Sequence, residues 1–272
     1  MANIIGTKAI QVFDSRGIPT ISCKVFLDDG NYGVAMVPSG ASTGSKEALE
    51  LRDGTKKYHG KGVQNAVQNI NDILGPLIIG KDANNQEEID EILISSDGTS
   101  DKSRYGANAI LAISLAVSHS ASVGNKISLH DHFSNLYENI VGEKHDQNIP
   151  MPMLNILNGG EHANNNIDIQ EFMIIPSEAK SFRQAMQWST EIYANLKNII
   201  EKSGLSTSVG DEGGFAPDLK NNEEAIKIII DAIIESGLEP GKDVNIALDC
   251  AASEFFDGSS YVLKGENKKL SS

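Results

Sequence analysis

The sequence predicts two consecutive units. An α+β domain, a three-stranded meander plus helices, is followed by an α/β unit in which strands and helices alternate. Three observations carry this expectation. Near the N-terminus apolar and polar residues alternate with period two; from about residue 63 the spacing becomes helical; beyond a polar stretch at 139–149, short apolar runs of strand length alternate with long amphipathic stripes.

Residues 4–12 read as a first strand. Ile21, Cys23, Val25 and Leu27 alternate with Thr20, Ser22, Lys24 and Phe26, which describes a strand buried on one face. Asp28, Asp29, Gly30 and Asn31 supply turn chemistry, and Tyr32 to Val37 return as a third strand. Val63, Ala66, Val67, Ile70, Ile73 and Leu74 make one helical stripe, which Gly75-Pro76 is expected to stop. A short helix over 86–94 follows. The Ala- and Ser-rich segment 107–123, with Ile110, Leu111, Ile113, Leu115 and Val117, predicts a helix packed on several sides, and another helix is expected at 128–138.

The polar residues 139–149 read as a linker, with Pro150 and Pro152 beyond it, so the domains are expected at 1–140 and 147–272. In the second unit, 151–157 and 169–175 have strand length. Phe182, Ala185, Met186, Ser189, Ile192, Tyr193, Leu196, Ile199 and Ile200 form a long helical stripe. Asn222 is the expected cap of the next helix, with Glu223 and Glu224 in its positive first turn. Gly237 and Pro240 end that helix, and Val244 to Cys250 form another strand.

Composition narrows the class. With 272 residues, 40% hydrophobic and 22% charged, the chain has the make-up of a globular protein with room for one large or two ordinary domains. A net charge of −14 repels phosphate backbones, so no general nucleic-acid binding is expected, whereas cation binding suits it. Cys23 and Cys250 form no disulfide framework. No basic leader precedes a long apolar stretch, and no 18 uninterrupted apolar residues occur, so no membrane span is expected and a soluble intracellular, cytoplasmic protein is the default reading.

Topology then gathers the polar residues. If the second unit runs strand, strand, helix, helix, strand, and the second strand is antiparallel to the first, the stretch 158–170, the start of the second strand at Gln170 and Glu171, the loop 210–217 and Asp249 all fall on one rim. Barrel enzymes carry their sites at such a rim.

Seven strings resemble the enolase family, its bacterial branch in particular: DSRG at 14–17, SGASTG at 39–44, RYGAN at 104–108, NGGEHANN at 158–165, DIQEFMI at 168–174, VGDEGGFAP at 209–217 and LDCAASEF at 248–255. They occur in family order over essentially the whole chain. Ile18 departs from the Asn usual in the family's first string, a change in a turn.

The resemblance implies that the second unit is the first part of an α/β barrel of the ββαα(βα) type, incomplete, with a hairpin around Tyr261 to Leu263 at most added. It implies a lyase of glycolysis that dehydrates 2-phosphoglycerate to phosphoenolpyruvate with Mg²⁺ as cofactor, working as a homodimer when full length. Glu212 matches the acid-side glutamate. Glu171 and Gln170 match residues at the leaving-hydroxyl end of the substrate, and Glu171 paired with Glu212 is expected to share a proton, as close carboxylates do. His162 matches a histidine on a loop that closes over the substrate. Ser42 matches the lid residue that helps bind substrate and a second Mg²⁺, and Asp249 matches the first carboxylate ligand of the tightly bound Mg²⁺. Taken singly, each residue also has a plain structural reading as a solvated turn, a cap or a strand edge.

The family's base lysine, its two further Mg²⁺ carboxylates and its phosphate-binding arginine find no counterpart in these strings. The expectation is therefore a C-terminally truncated enolase, inactive alone. The alternative is a non-catalytic fragment acting as a secreted or cell-surface protein that binds host plasminogen.

Overall fold

The computed structural model describes residues 2–40, 43–44 and 46–271. They divide into two units, Met1–Gln147 and Asn148–Ser272.

In the first unit β1 (Ile4–Phe13), β2 (Pro19–Leu27) and β3 (Tyr32–Met36) form an antiparallel meander in that order. The β1–β2 turn is closed by Asp14, whose Oδ1 accepts from the backbone N–H of Arg16 at 2.9 Å and of Ile18 at 2.8 Å, with Gly17 at φ +72. Ile21, Cys23, Val25 and Leu27 are fully buried, the face that the period-two pattern assigns to the core. Burial also pushes the Cys23 thiol up to about 12, which leaves it unreactive.

A helical segment, α1, runs from Gln64 to Leu77. It has α-helical residues Gln64–Gln68, a wider π-helical stretch Asn69–Leu74 and a last turn Gly75–Leu77. Gly75-Pro76 therefore does not stop the helix, contrary to expectation. The π stretch comes just before Pro76, which lacks the N–H of a regular turn. Gly75 has a different duty: a Cβ there would collide with the Thr7 side chain of β1 and the Ile70 carbonyl, so the missing side chain lets the segment lie on the sheet.

Next come α2 (Gln86–Asp97), α3 (Ala107–Gly124) and α4 (Leu129–Val141). The last runs into the segment read as linker, and the division between units falls after Gln147. At 18 residues α3 is long and apolar enough to cross a membrane, the one such helix among the described residues, yet it is a core helix. Ala109, Ala112, Ile113, Ala116, Val117 and Ala121 are fully buried, and it packs on β2 and β3.

The second unit has β4 (Leu154–Asn158), β5 (Glu171–Ile175), α5 (Phe182–Lys202), α6 (Asn222–Glu235) and β6 (Asn245–Asp249) in the ββαα(βα) order. The sheet order is β4-β5-β6, with β5 antiparallel to both neighbours. The three strands form an open sheet, the first part of a barrel. Phe172 and Ile174 of β5 pack into a core with Ile192, Leu196 and Ile200 of α5 and Ala225, Ile229 and Ile233 of α6.

Ser181 caps α5 by accepting from Gln184 N–H. The cap of α6 is Asn221, not Asn222: Asn221 accepts from Glu224 N–H, while Asn222 is buried in the first turn. Its Oδ1 accepts from Ile169 N–H at 3.1 Å and its Nδ2 donates to Glu266 at 2.8 Å. The sequence does not distinguish two adjacent asparagines; burial does. A separate hairpin, β7 (Tyr261–Leu263) and β8 (Lys268–Leu270), ends the described chain.

Candidate active site

Strand register builds the site. Asn158 pairs with Glu171, and Glu171 with Asp249, so the end of β4, the start of β5 and the end of β6 meet on one rim. Side chains alternate along a strand. Since Phe172 and Ile174 go to the helices, Glu171 and Met173 take the opposite face.

Two loops complete the rim. Residues 158–170 turn through Gly160–His162, and this turn carries His162. The glycines there are spatial requirements: a Cβ on Gly159 would meet the Ile167 and Ile169 carbonyls. The loop 209–217 is stitched to the strands and to the first loop by backbone hydrogen bonds. Asn158 N–H donates to Phe215 O at 2.9 Å, Phe215 N–H to Ile156 O at 3.0 Å, and Asp211 N–H to His162 O at 3.0 Å. Asn165 Nδ2 adds bonds to Asn158 O at 2.9 Å and Pro217 O at 3.1 Å.

This stitching brings His162, Glu171 and Glu212 together. His162 Nδ1 lies 3.3 Å from Glu171 Oε1 and 3.9 Å from Glu212 Oε2. Ligating atoms of the three residues all fall within 4.8 Å of one another, close enough to share a proton or a metal ion. His162 is only 3% exposed, yet neither ring nitrogen makes a hydrogen bond, so the contact to Glu171 is close but misaligned. Gln170, also 3% exposed, has an unpartnered Oε1, and Asn158 an unpartnered Oδ1. Buried polar atoms are ordinarily paired, and the unpaired ones concentrate on this rim.

Electrostatics agree. The Glu171 carboxyl is pushed up to about 7, first by burial, then by hydrogen bonding with Glu212 and by the negative charges of Glu212 and Asp249. Near neutral pH it therefore retains a proton for part of the time. Close carboxylates do this because removing both protons places like charges together.

Of the residues singled out in the sequence, His162, Gln170, Glu171, Glu212 and Asp249 gather on this rim. Asp249 is exposed, its Oδ1 accepting from Ala251 N–H at 3.0 Å. Ser42 lies outside the described residues. The donors fit Mg²⁺ in kind: it takes hard oxygen ligands through one or two carboxylates and keeps several waters, and the crowding of negative charge at Glu171 and Asp249 is what a cation relieves. Sequence reading missed Asn158 and Asn165, which tie the loops together, because asparagines in a polar loop look alike until their partners are seen.

Polar and acidic groups gathered at strand ends on the first segment of a barrel, which follows an α+β domain in the chain, define the class: a barrel-type enzyme fold, whose members carry their sites on such a rim. The family model for the enolase N-terminal domain matches residues 4–133, and that for the enolase C-terminal TIM barrel domain matches residues 146–272. The chain belongs to the enolase family, glycolytic lyases that use Mg²⁺.

Proposed function

We propose that this rim is the leaving-hydroxyl side of an enolase site, acting in the reversible dehydration of 2-phosphoglycerate to phosphoenolpyruvate. The observation that carries the reading is the convergence of Glu171, Glu212 and buried His162, with a proton retained on the carboxylate pair near neutral pH.

In the dehydration a base takes a proton from C2, the electron pair left there forms the C2–C3 double bond as the C3–O bond breaks, and the departing hydroxide takes up a proton to become water. The Glu171–Glu212 pair supplies that second proton, general-acid work worth about 10²–10⁴-fold. His162 and Gln170 are buried beside it, where unpaired polar atoms await the substrate's hydroxyl end. Asp249 would hold Mg²⁺, with Ser42 serving a second ion; the metal supplies positive charge against the substrate carboxylate. A cytoplasmic homodimer is the form this reading assigns to the enzyme, and a plasminogen-binding surface protein is the alternative.

The reading is tested by adding 2-phosphoglycerate and Mg²⁺ to the 272-residue chain while following the His162 imidazole by NMR. The signal should move, and should stay still in Glu212→Gln. An unmoved His162 at saturating ligand overturns the reading. A coupled assay on the same chain should show no phosphoenolpyruvate, because an open three-stranded sheet does not hold reacting groups to catalytic tolerance. Turnover lost on Glu212→Gln would instead place the whole machinery within these residues.

A further inference from the structure

Glu212 stands on a tight turn: Gly210 N–H donates to Gly214 O at 2.8 Å and Gly213 N–H to Gly210 O at 3.2 Å, with Gly213 at φ +86. Glycines on each side leave the backbone free to swing, and the Glu212 side chain is 42% exposed. Something must hold this turn if the carboxyl is to stay beside His162 and Glu171. On one side Asp211 N–H is fixed to His162 O at 3.0 Å. On the other, the Tyr193 hydroxyl on α5 donates to Gly213 O at 2.8 Å, the one side-chain hydrogen bond to the backbone of 210–214 among the described residues. The Tyr193 ring also stacks on Phe215, with centroids 4.3 Å apart and planes 13° apart. Phe215 is in turn bonded to β4 through its own N–H and carbonyl.

We propose that Tyr193 is a positioning residue for Glu212: its ring docks the loop on α5 through Phe215, and its hydroxyl holds the Gly213–Gly214 peptide, one step beyond Glu212, so that the carboxyl faces His162 and Glu171. A tyrosine in a helical stripe ordinarily only packs. Here the hydroxyl reaches past the core to the carbonyl next to the acidic residue. The value of this role rests on the assignment of Glu212 above, but the placement itself does not.

Tyr193→Phe in the 272-residue chain keeps the ring and removes the donor. Amide exchange at Asp211 and Gly213 should accelerate roughly 3- to 10-fold, the effect of one neutral hydrogen bond. The His162 imidazole ¹⁵N signals should move, while amides of 189–196 stay as they are. In a Glu212→Gln background the Tyr193→Phe shift at His162 should vanish. At mildly acidic pH, where its more acidic phenol stays protonated, site-specific 3,5-difluorotyrosine at 193 is a stronger donor on the same ring and should slow exchange instead, which keeps the test alive if the phenylalanine variant folds poorly. Unchanged exchange and unchanged His162 signals in Tyr193→Phe, with losses only in Tyr193→Ala, would mean that Tyr193 merely packs and would overturn the proposal. So would a His162 shift that persists in the Glu212→Gln background. If 2-phosphoglycerate leaves His162 unmoved in the wild-type chain, the functional reading fails while the positioning result stands.

Discussion

Glu171 and Asp249 sit directly opposite each other on antiparallel neighbours β5 and β6. Burial first, then the hydrogen bond and charge of Glu212, and last the repulsion between these two opposed like charges raise the Glu171 carboxyl from 4.5 to about 7.

A pH-dependent stability follows. Between those values the folded state binds more protons at Glu171 than the unfolded state does, so this group's contribution to stability falls as pH rises through the window and is lowest above it. Glu171→Gln removes the effect. Urea unfolding should show the variant gaining on the wild type from pH 4.5 to 8, reaching on the order of 1–3 kcal/mol. A difference independent of pH would contradict the assignment.

Mg²⁺ should relieve the same repulsion. At a concentration a few times its dissociation constant, a ligand that binds only the folded state stabilises by about 1 kcal/mol. The thermal midpoint of the chain should therefore rise with millimolar Mg²⁺, and Asp249→Asn should abolish the rise. An equal rise in both proteins would place the ion elsewhere.

Asn221 and Asn222 should separate in mutagenesis. Asn221→Ala removes a cap and should cost about 1 kcal/mol. Asn222→Ala strands the Ile169 N–H one residue before Gln170 and deprives Glu266 of a partner, and should cost about 2–3 kcal/mol by denaturant midpoint. Equal costs would mean that the buried hydrogen bonds add nothing to capping.

Gly75→Ala tests the contact between α1 and β1. In an open helix the change stabilises, because glycine loses more freedom on folding. Here the added methyl meets Thr7 and the Ile70 carbonyl, so destabilisation of about 1–3 kcal/mol is expected. A stabilised variant would show that the segment can move off the sheet.

Much of this protein was legible in its residues. The alternation at Ile21, Cys23, Val25 and Leu27 and the stripe from Phe182 to Ile200 are local periodicities, and a chain that must bury one face of each element has little choice about their type. The order strand, strand, helix, helix, strand sufficed to bring Glu171, Glu212 and Asp249 to one rim, because each element reverses or keeps the direction of the last. Tertiary structure alone decided the rest. Whether Gly75 ends a helix or admits a close neighbour depends on Thr7, 68 residues away. Which asparagine caps α6 depends on which is buried against Ile169 and Glu266. The raised Glu171 carboxyl, the unpaired nitrogens of His162 and the reach of Tyr193 to Gly213 depend on distances of a few ångströms between segments remote in sequence. Electrostatic and hydrogen-bond energies vary steeply over such distances, and residue order carries no record of them.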